Sequence, residues 1–231
     1  MAESEEIIKQ YRRILNRCPL FSLLDDNELR YALELFDADP VFFKKGELIH
    51  FAGNTLNRFG AVLSGRIHVC SDDIEGNRVI MASVLPGGTF GESLCFLKII
   101  EAPCFIMAAD NSYVLMLSTE KLYPAAPGET DIKIQKCFTS MIASRALQMN
   151  SRIQVLSKPT IRKKLIFLFT ELYHENKANT FALPFDRNDM ASYIGVNRSA
   201  LSRELSNMKK DGLIDFYKDT VKIIGFKEED Q

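Results

Sequence analysis

The chain has 231 residues, 46% of them hydrophobic and 26% charged, with a formal net charge of −1. That length allows one or two domains with a proper core, and the apolar fraction with near-neutral charge excludes disorder as the main state. No apolar run approaches the ~18–20 residues a bilayer demands, and the opening Met-Ala-Glu-Ser-Glu-Glu lacks the basic and apolar regions of a secretion signal. A cytoplasmic protein without a membrane partner is expected.

In chain order, Ile7, Ile8, Tyr11, Ile14 and Leu15, then Leu29, Leu33 and Phe36, recur at helical spacing, so residues 5–37 read as short helices. From Val41 to about Leu122 the pattern changes to short apolar runs: Phe42-Phe43, Leu48–Phe51, Phe59–Leu63, Ile67–Cys70, Val79–Leu85, Phe105–Ala109 and Val114–Leu117. Glycines at 46, 53, 65, 76, 87, 88 and 91 punctuate them. Short strands with turn signals every ~8–12 residues indicate an antiparallel barrel or sandwich. The five cysteines, at 18, 70, 95, 104 and 137, form no CxxC pair and read as free, buried thiols.

Beyond Pro124-Ala-Ala-Pro-Gly128 a long helix is expected, with Phe138, Ile142, Ala146, Met149, Ile153 and Leu156 spaced 4, 4, 3, 4 and 3. That nearly heptad stripe fits a helix paired with a second copy of the chain. It ends at Ser157-Lys158-Pro159, where proline bars continuation. The expected division is therefore 1–128 for the helices and barrel, 129–157 for the dimerisation helix and 158–231 for a third part.

Residues 158–225 hold 12 lysines and arginines against 8 aspartates and glutamates, while the remainder carries 17 against 22. A basic segment on an acidic body points to an anionic partner for that segment alone. Its order is a helix over Ile161–Glu175, a strand at Phe181–Phe185, a helix capped by Asp186 and a tight turn at Gly195-Val196-Asn197. The next helix, Arg198 to about Asp211, buries Leu201, Leu205 and Met208 and presents Arg198, Ser199, Ser202 and Arg203 on the opposite face. Arginine bonds guanine O6 and N7 in pairs, and serine reaches bases or phosphates without blocking a groove. After Gly212, two apolar runs around Tyr217-Lys218-Asp219-Thr220 form a wing. Helix-turn-helix plus wing in a basic segment is a winged-helix DNA-binding domain, and the fold class is α+β.

Three stretches then carry a resemblance to the CRP/FNR family of bacterial transcription regulators. They are Phe59-Gly-Ala-Val-Leu-Ser-Gly-Arg-Ile-His-Val69, Leu85-Pro-Gly-Gly-Thr-Phe-Gly-Glu92 and Asp189-Met-Ala-Ser-Tyr-Ile-Gly-Val-Asn-Arg-Ser-Ala-Leu-Ser-Arg203. The resemblance implies an N-terminal antiparallel β-roll (a double-stranded, jelly-roll-like barrel), a long dimerisation helix and a C-terminal winged helix-turn-helix. It also implies double-stranded DNA with a palindromic site, RNA polymerase and a homodimer as partners. The two recognition helices of the dimer would lie one DNA turn, ~34 Å, apart. The recognition residues it implies are Arg198, Ser199, Ser202 and Arg203. Asn197, capping that helix, is expected at the DNA beside them, and Lys158, Lys163, Lys164, Lys209, Lys210 or Lys218 are expected to supply phosphate contacts.

In cyclic-nucleotide members of that family, Gly-Glu is followed about ten residues later by an arginine that pairs with the cyclic phosphate. Here Gly91-Glu92 is present, but the arginine position falls near Glu101-Ala102-Pro103, and residues 79–144 contain no arginine. Cyclic AMP is therefore disfavoured, since a buried phosphate without its bidentate partner is costly. An iron–sulfur cluster would need several N-terminal cysteines where only Cys18 stands. Haem stays open through His50, His68 or His174. A small effector, an organic acid among the candidates, is expected near Gly91, Glu92, Ser93, Met141 and Arg145, with Glu92 either a ligand contact or a structural acceptor.

Two other classes compete. A cyclic-nucleotide module without DNA function is disfavoured by the missing arginine and the wing. A cupin-like metalloenzyme would need clustered histidines, and no His-x-His or nucleophile–base pair occurs, so no enzyme activity is expected.

Overall fold

Capping and period-two burial explain most of the architecture seen in a computed structural model of the chain, which describes residues 2–72, 78–183, 186–217 and 220–225. The chain divides into two compact units, Met1–Arg145 and Ala146–Gln231. The first opens with α1 (Ala2–Leu15) and α2 (Asp26–Leu35). Asp25 starts α2 by accepting from the backbone N–H groups of Asn27 and Glu28, both at 2.9 Å, while the Glu28 carboxylate accepts from Asp25 N–H at 2.9 Å. Such a reciprocal cap satisfies N–H groups that the first turn leaves without intrahelical partners.

Eight strands follow: β1 (Asp39–Phe43), β2 (Leu48–His50), β3 (Phe59–Ser64), β4 (Ile67–Asp72), β5 (Arg78–Val84), β6 (Thr89–Phe90), β7 (Phe105–Ala108) and β8 (Ser112–Leu117). A short helix, α3 (Glu92–Phe96), lies between β6 and β7. They form two antiparallel four-stranded sheets, ordered β1-β8-β3-β6 and β2-β7-β4-β5, so sequence neighbours alternate between sheets except at the β4–β5 hairpin.

Alternation along β3 shows how the layers are assigned. Phe59, Ala61 and Leu63 enter one buried cluster with Leu29, Leu33 and Phe138, whereas Val62 enters a second with Leu56, Phe90 and Ile106 inside the roll. A strand buried on both faces lacks a polar side, which is why it reads as a continuous apolar run. Phe36, Phe59 and Phe138 pack edge to face at 6.0–6.1 Å and tie the long helix α4 (Glu129–Ser157) to the roll. Asp131 in the first turn of α4 accepts from Gly128 N–H and from the Tyr31 hydroxyl, each at 2.8 Å.

α4 continues into the second unit, which adds α5 (Ile161–Asn176), β9 (Thr180–Ala182), α6 (Arg187–Ile194), α7 (Arg198–Lys210), β10 (Ile214–Tyr217) and β11 (Thr220–Ile223). β10, β11 and β9 pair in that order as an antiparallel sheet. Val155 of α4 joins Leu165, Phe169, Met190, Ile194, Leu201, Leu205, Met208, Ile214 and Val221 in one core.

Candidate nucleic-acid interface and effector site

The turn between α6 and α7 is built as its sequence predicts. Gly195 closes α6 in the left-handed region, φ 67 and ψ 47, where a glycine carries no Cβ penalty. Asn197 opens α7 by accepting from Ala200 N–H at 2.8 Å, and its carboxamide oxygen also accepts from the Ser199 hydroxyl at 2.8 Å. With Leu201, Leu205 and Met208 buried, the other side of α7 exposes Arg198, Ser199, Ser202 and Arg203. The one acid within α7, Glu204, is held on another side by Arg162 of α5, Nε to Oε1 at 2.6 Å. The exposed face therefore presents two guanidinium groups and two hydroxyls, a donor-rich surface suited to the major groove.

The remaining cations divide by what they touch. Lys163 and Lys210 are exposed. Lys209 instead bonds Asp215 at 2.5 Å and lies 5.3 Å from the Phe216 ring centre, bracing the start of the wing. Lys158 sits 4.7 Å over the Phe167 ring. Lys164 donates to Ile194 O at 2.9 Å and Arg152 to Ser192 O at 3.2 Å, so both satisfy the last carbonyls of α6, where positive charge is favoured. These contacts were invisible to a charge count. Lys218 lies outside the described residues.

In the first unit, Gly91 (φ 76) leads into α3, and Glu92 is buried, its side chain 4% exposed. Arg145 on α4 places Nε 3.2 Å from Glu92 Oε1 and donates from Nη2 to Thr89 O at 2.8 Å. Glu92 Oε2 is buried, and among the described residues it has no hydrogen-bond partner. Met141 is buried beside them, its Sδ accepting from the Thr89 hydroxyl at 3.6 Å. Four of the five residues expected around an effector are thus brought into one neighbourhood, while Ser93 is exposed on α3. Sequence reasoning named Arg145 but not its pairing with Glu92, nor the part of Thr89. Burial, with the Glu92 charge adding to it, pushes the Cys18 thiol up to about 11. His50 is buried on β2 and desolvation lowers its pKa. Among the described residues no group of three or more His, Cys, Asp or Glu could hold a metal ion, and no helix is long and apolar enough to cross a membrane.

Two family models match. The cyclic nucleotide-binding domain covers residues 40–125, and the Crp-like helix-turn-helix domain covers residues 163–227. The cyclic AMP receptor protein of Thermus thermophilus is 22% identical over 205 residues, 89% of this chain and 92% of the relative. The transcriptional activator protein FnrA of Stutzerimonas stutzeri is 24% identical over 238 residues, 97% and 94% of the two chains. Among solved structures, the global regulator CLP of Xanthomonas campestris, described as c-di-GMP responsive, superposes with a TM-score of 0.61 at 16% identity, covering 87% of this chain and 100% of that one. FixK2 of Bradyrhizobium japonicum gives 0.57 at 22% identity, covering 81% and 93%.

A β-roll followed by a long helix and a winged helix-turn-helix defines a class of DNA-binding regulators. Within that class the chain belongs to the CRP/FNR family of transcriptional regulators, whose members are regulators and not enzymes.

Proposed function

We propose that the chain works as a homodimer that reads a palindromic DNA site through two copies of α7 and answers to a small molecule bound at the β-roll. The donor-rich exposed face of α7 carries this reading. Arg198 and Arg203, both exposed, make bidentate contacts to guanine edges in this reading, Ser199 and Ser202 reach bases or phosphates, and Asn197 caps the leading edge of the helix. Lys163 and Lys210 supply sequence-blind, salt-dependent phosphate contacts. Lys209 acts through the wing by way of Asp215. Parts 1–128, 129–157 and 158–231 serve as sensor, dimer helix and DNA reader, and RNA polymerase is the downstream partner.

The signal reaches DNA as a shift between two populations of the dimer, a coupling of about 1–3 kcal/mol. Cyclic AMP is not the expected signal, because the one arginine beside Glu92 comes from α4 and not from the loop after α3. A visible absorbance spectrum of freshly purified protein separates a colourless effector from haem at His50 or His68 and from an iron–sulfur cluster.

The test is fluorescence anisotropy on labelled duplexes from the regulator's own promoter regions. Arg203→Ala is expected to lose about 1–3 kcal/mol of preference for the palindrome while the protein stays dimeric by light scattering. Unchanged preference in that variant overturns the role of Arg203, and a monomeric wild-type protein overturns the palindromic dimer.

A further inference from the structure

The neighbourhood of Glu92 contains a binding requirement that its own residues leave unmet. The carboxylate is 4% exposed, and only Oε1 is paired, with Arg145 Nε at 3.2 Å. Oε2 is buried, and no donor among the described residues reaches it. A desolvated carboxylate oxygen without a partner is costly, and a donor brought to it recovers that cost. Two neighbouring donors are also incompletely used. The Thr89 hydroxyl, itself buried, gives its hydrogen to the Met141 thioether at 3.6 Å, a poor acceptor that an anionic oxygen would displace. Arg145 uses Nε and Nη2, and among the described residues Nη1 has no further partner.

A ligand that matches these groups carries a donor for Glu92 and an anion for Arg145 and Thr89 a short distance apart. Charge decides which donor. Glu92 and Arg145 already cancel, so a bound carboxylate with a neutral hydroxyl beside it leaves one uncompensated negative charge next to the buried Glu92 carboxylate. A carboxylate with an ammonium beside it leaves none. Size follows from the packing: Leu56, Val62, Ile67, Phe90 and Ile106 fill the roll interior, and a Cβ on Gly91 would meet Leu56 Cδ2 at 2.3 Å. Little space remains beyond what Leu56 can yield, and the surroundings are aliphatic.

From this we infer that the β-roll binds a short aliphatic α-amino acid, its ammonium on Glu92 Oε2 and its carboxylate on Arg145 Nη1 and the Thr89 hydroxyl. The inference rests on the effector site named above and adds the ligand's chemical class. Such a zwitterion bridges the roll to α4 at Arg145, the last residue of the first unit. The bound state thus fixes α4 where it leaves the roll, a direct route from ligand to helix.

The experiment is calorimetric titration and thermal unfolding of the full chain with L-alanine, L-valine and L-leucine. It is run in parallel with 2-hydroxyisovalerate, isovalerate, isobutylamine and cyclic AMP. At least one amino acid is expected to bind and raise the unfolding temperature, with each analogue lacking the ammonium or the carboxylate weaker by about tenfold or more. Glu92→Gln is expected to weaken the amino acid by about tenfold but to tighten isovalerate, because Arg145 then loses its carboxylate partner, a split that general loosening does not produce. Arg145→Met, on the half-exposed side of the site, is expected to weaken both and serves if Glu92→Gln does not fold. No binding by any of the three amino acids at millimolar concentration, or equal binding by 2-hydroxyisovalerate or cyclic AMP, overturns the inference. Promoter binding is read separately: DNA shifted with no amino acid bound sinks this inference alone, and an amino acid bound with no DNA shifted sinks the regulator reading alone.

Discussion

The guanidinium of Arg162, in the first turn of α5, holds the carboxylate of Glu204 in the middle of α7, Nε to Oε1 at 2.6 Å. The same side chain reaches Asp211 at the end of α7, Nη1 to Oδ2 at 2.7 Å, so one residue fixes the recognition helix at two points two turns apart. Neither acid lies among the residues proposed to face DNA, and Arg162 neutralises both.

Arg162→Met is therefore expected to reduce affinity for every DNA sequence by a similar factor, without altering which bases are preferred. The pair is partly exposed, so the stability loss is about 1 kcal/mol or less after solvent screening. Denaturant unfolding gives the stability, and anisotropy on a palindrome and its point variants gives the preferences. A changed base profile would show that Arg162 contributes to readout and not only to the seating of α7.

The turn before α7 offers a sharper stability test. Gly195 has φ +67, and a Cβ added there would lie 3.0 Å from Leu156 Cδ2. Gly195→Ala therefore combines left-handed strain, about 1–2 kcal/mol, with a close contact to the end of α4. The midpoint of unfolding in urea should fall accordingly, whereas an exposed change such as Lys210→Ala should leave it near the wild-type value. Equal stability of Gly195→Ala and the wild type would mean that the turn relaxes to another geometry.

How far these features could be read in advance depended on scale. The strands β3, β4, β7 and β8 and the long helix each left a signal at least four residues long, the proline stop and the capped α6–α7 turn were marked by their residue types, and each formed near its expected place. β6, only Thr89–Phe90, and the five-residue α3 were too short to show any period, yet they position Thr89 and Glu92. The basic excess of the last segment was also legible, but not its direction. Lys164 and Arg152 are spent on α6 carbonyls and Lys209 on Asp215, because a composition count records charge and not the vector of a side chain. Arg145 was placed near the effector site from the helix pattern. Its partner Glu92 lies 53 positions away in sequence, beyond any local rule.

Acid should attack the first unit through its α2 cap. The bond from Lys133 holds the Glu28 carboxyl below the usual carboxylate range, with Asp25 N–H adding to it, and the Glu28 N–H does the same for Asp25. Folded-state values below the unfolded ones give a contribution that is present above the ordinary carboxylate range and lost as pH falls through the depressed folded values. The unfolding temperature should thus decline below about pH 4, and the decline should be shallower in Glu28→Gln, measured by circular dichroism across a pH series. Parallel profiles for the two proteins would remove Glu28 from the acid response.

The second half of α4 leaves a row of apolar side chains in water. Met149 is 61% exposed and Ile153 62%, on the same nearly heptad stripe as Phe138, which is buried against the roll. A stripe that begins in the core and continues uncovered is the pattern of a helix that completes its packing on a second copy of itself. Ile153→Asp should place two carboxylates against each other across such a seam and shift the protein from dimer to monomer at micromolar concentration. The circular-dichroism spectrum should stay that of the wild type, because Ile153 is largely exposed. Binding to a full palindrome should then fall towards that of a single half-site, while the half-site affinity itself is retained because α7 is untouched. A variant that remains dimeric by light scattering would place the interface elsewhere and leave the exposed stripe without a role in pairing.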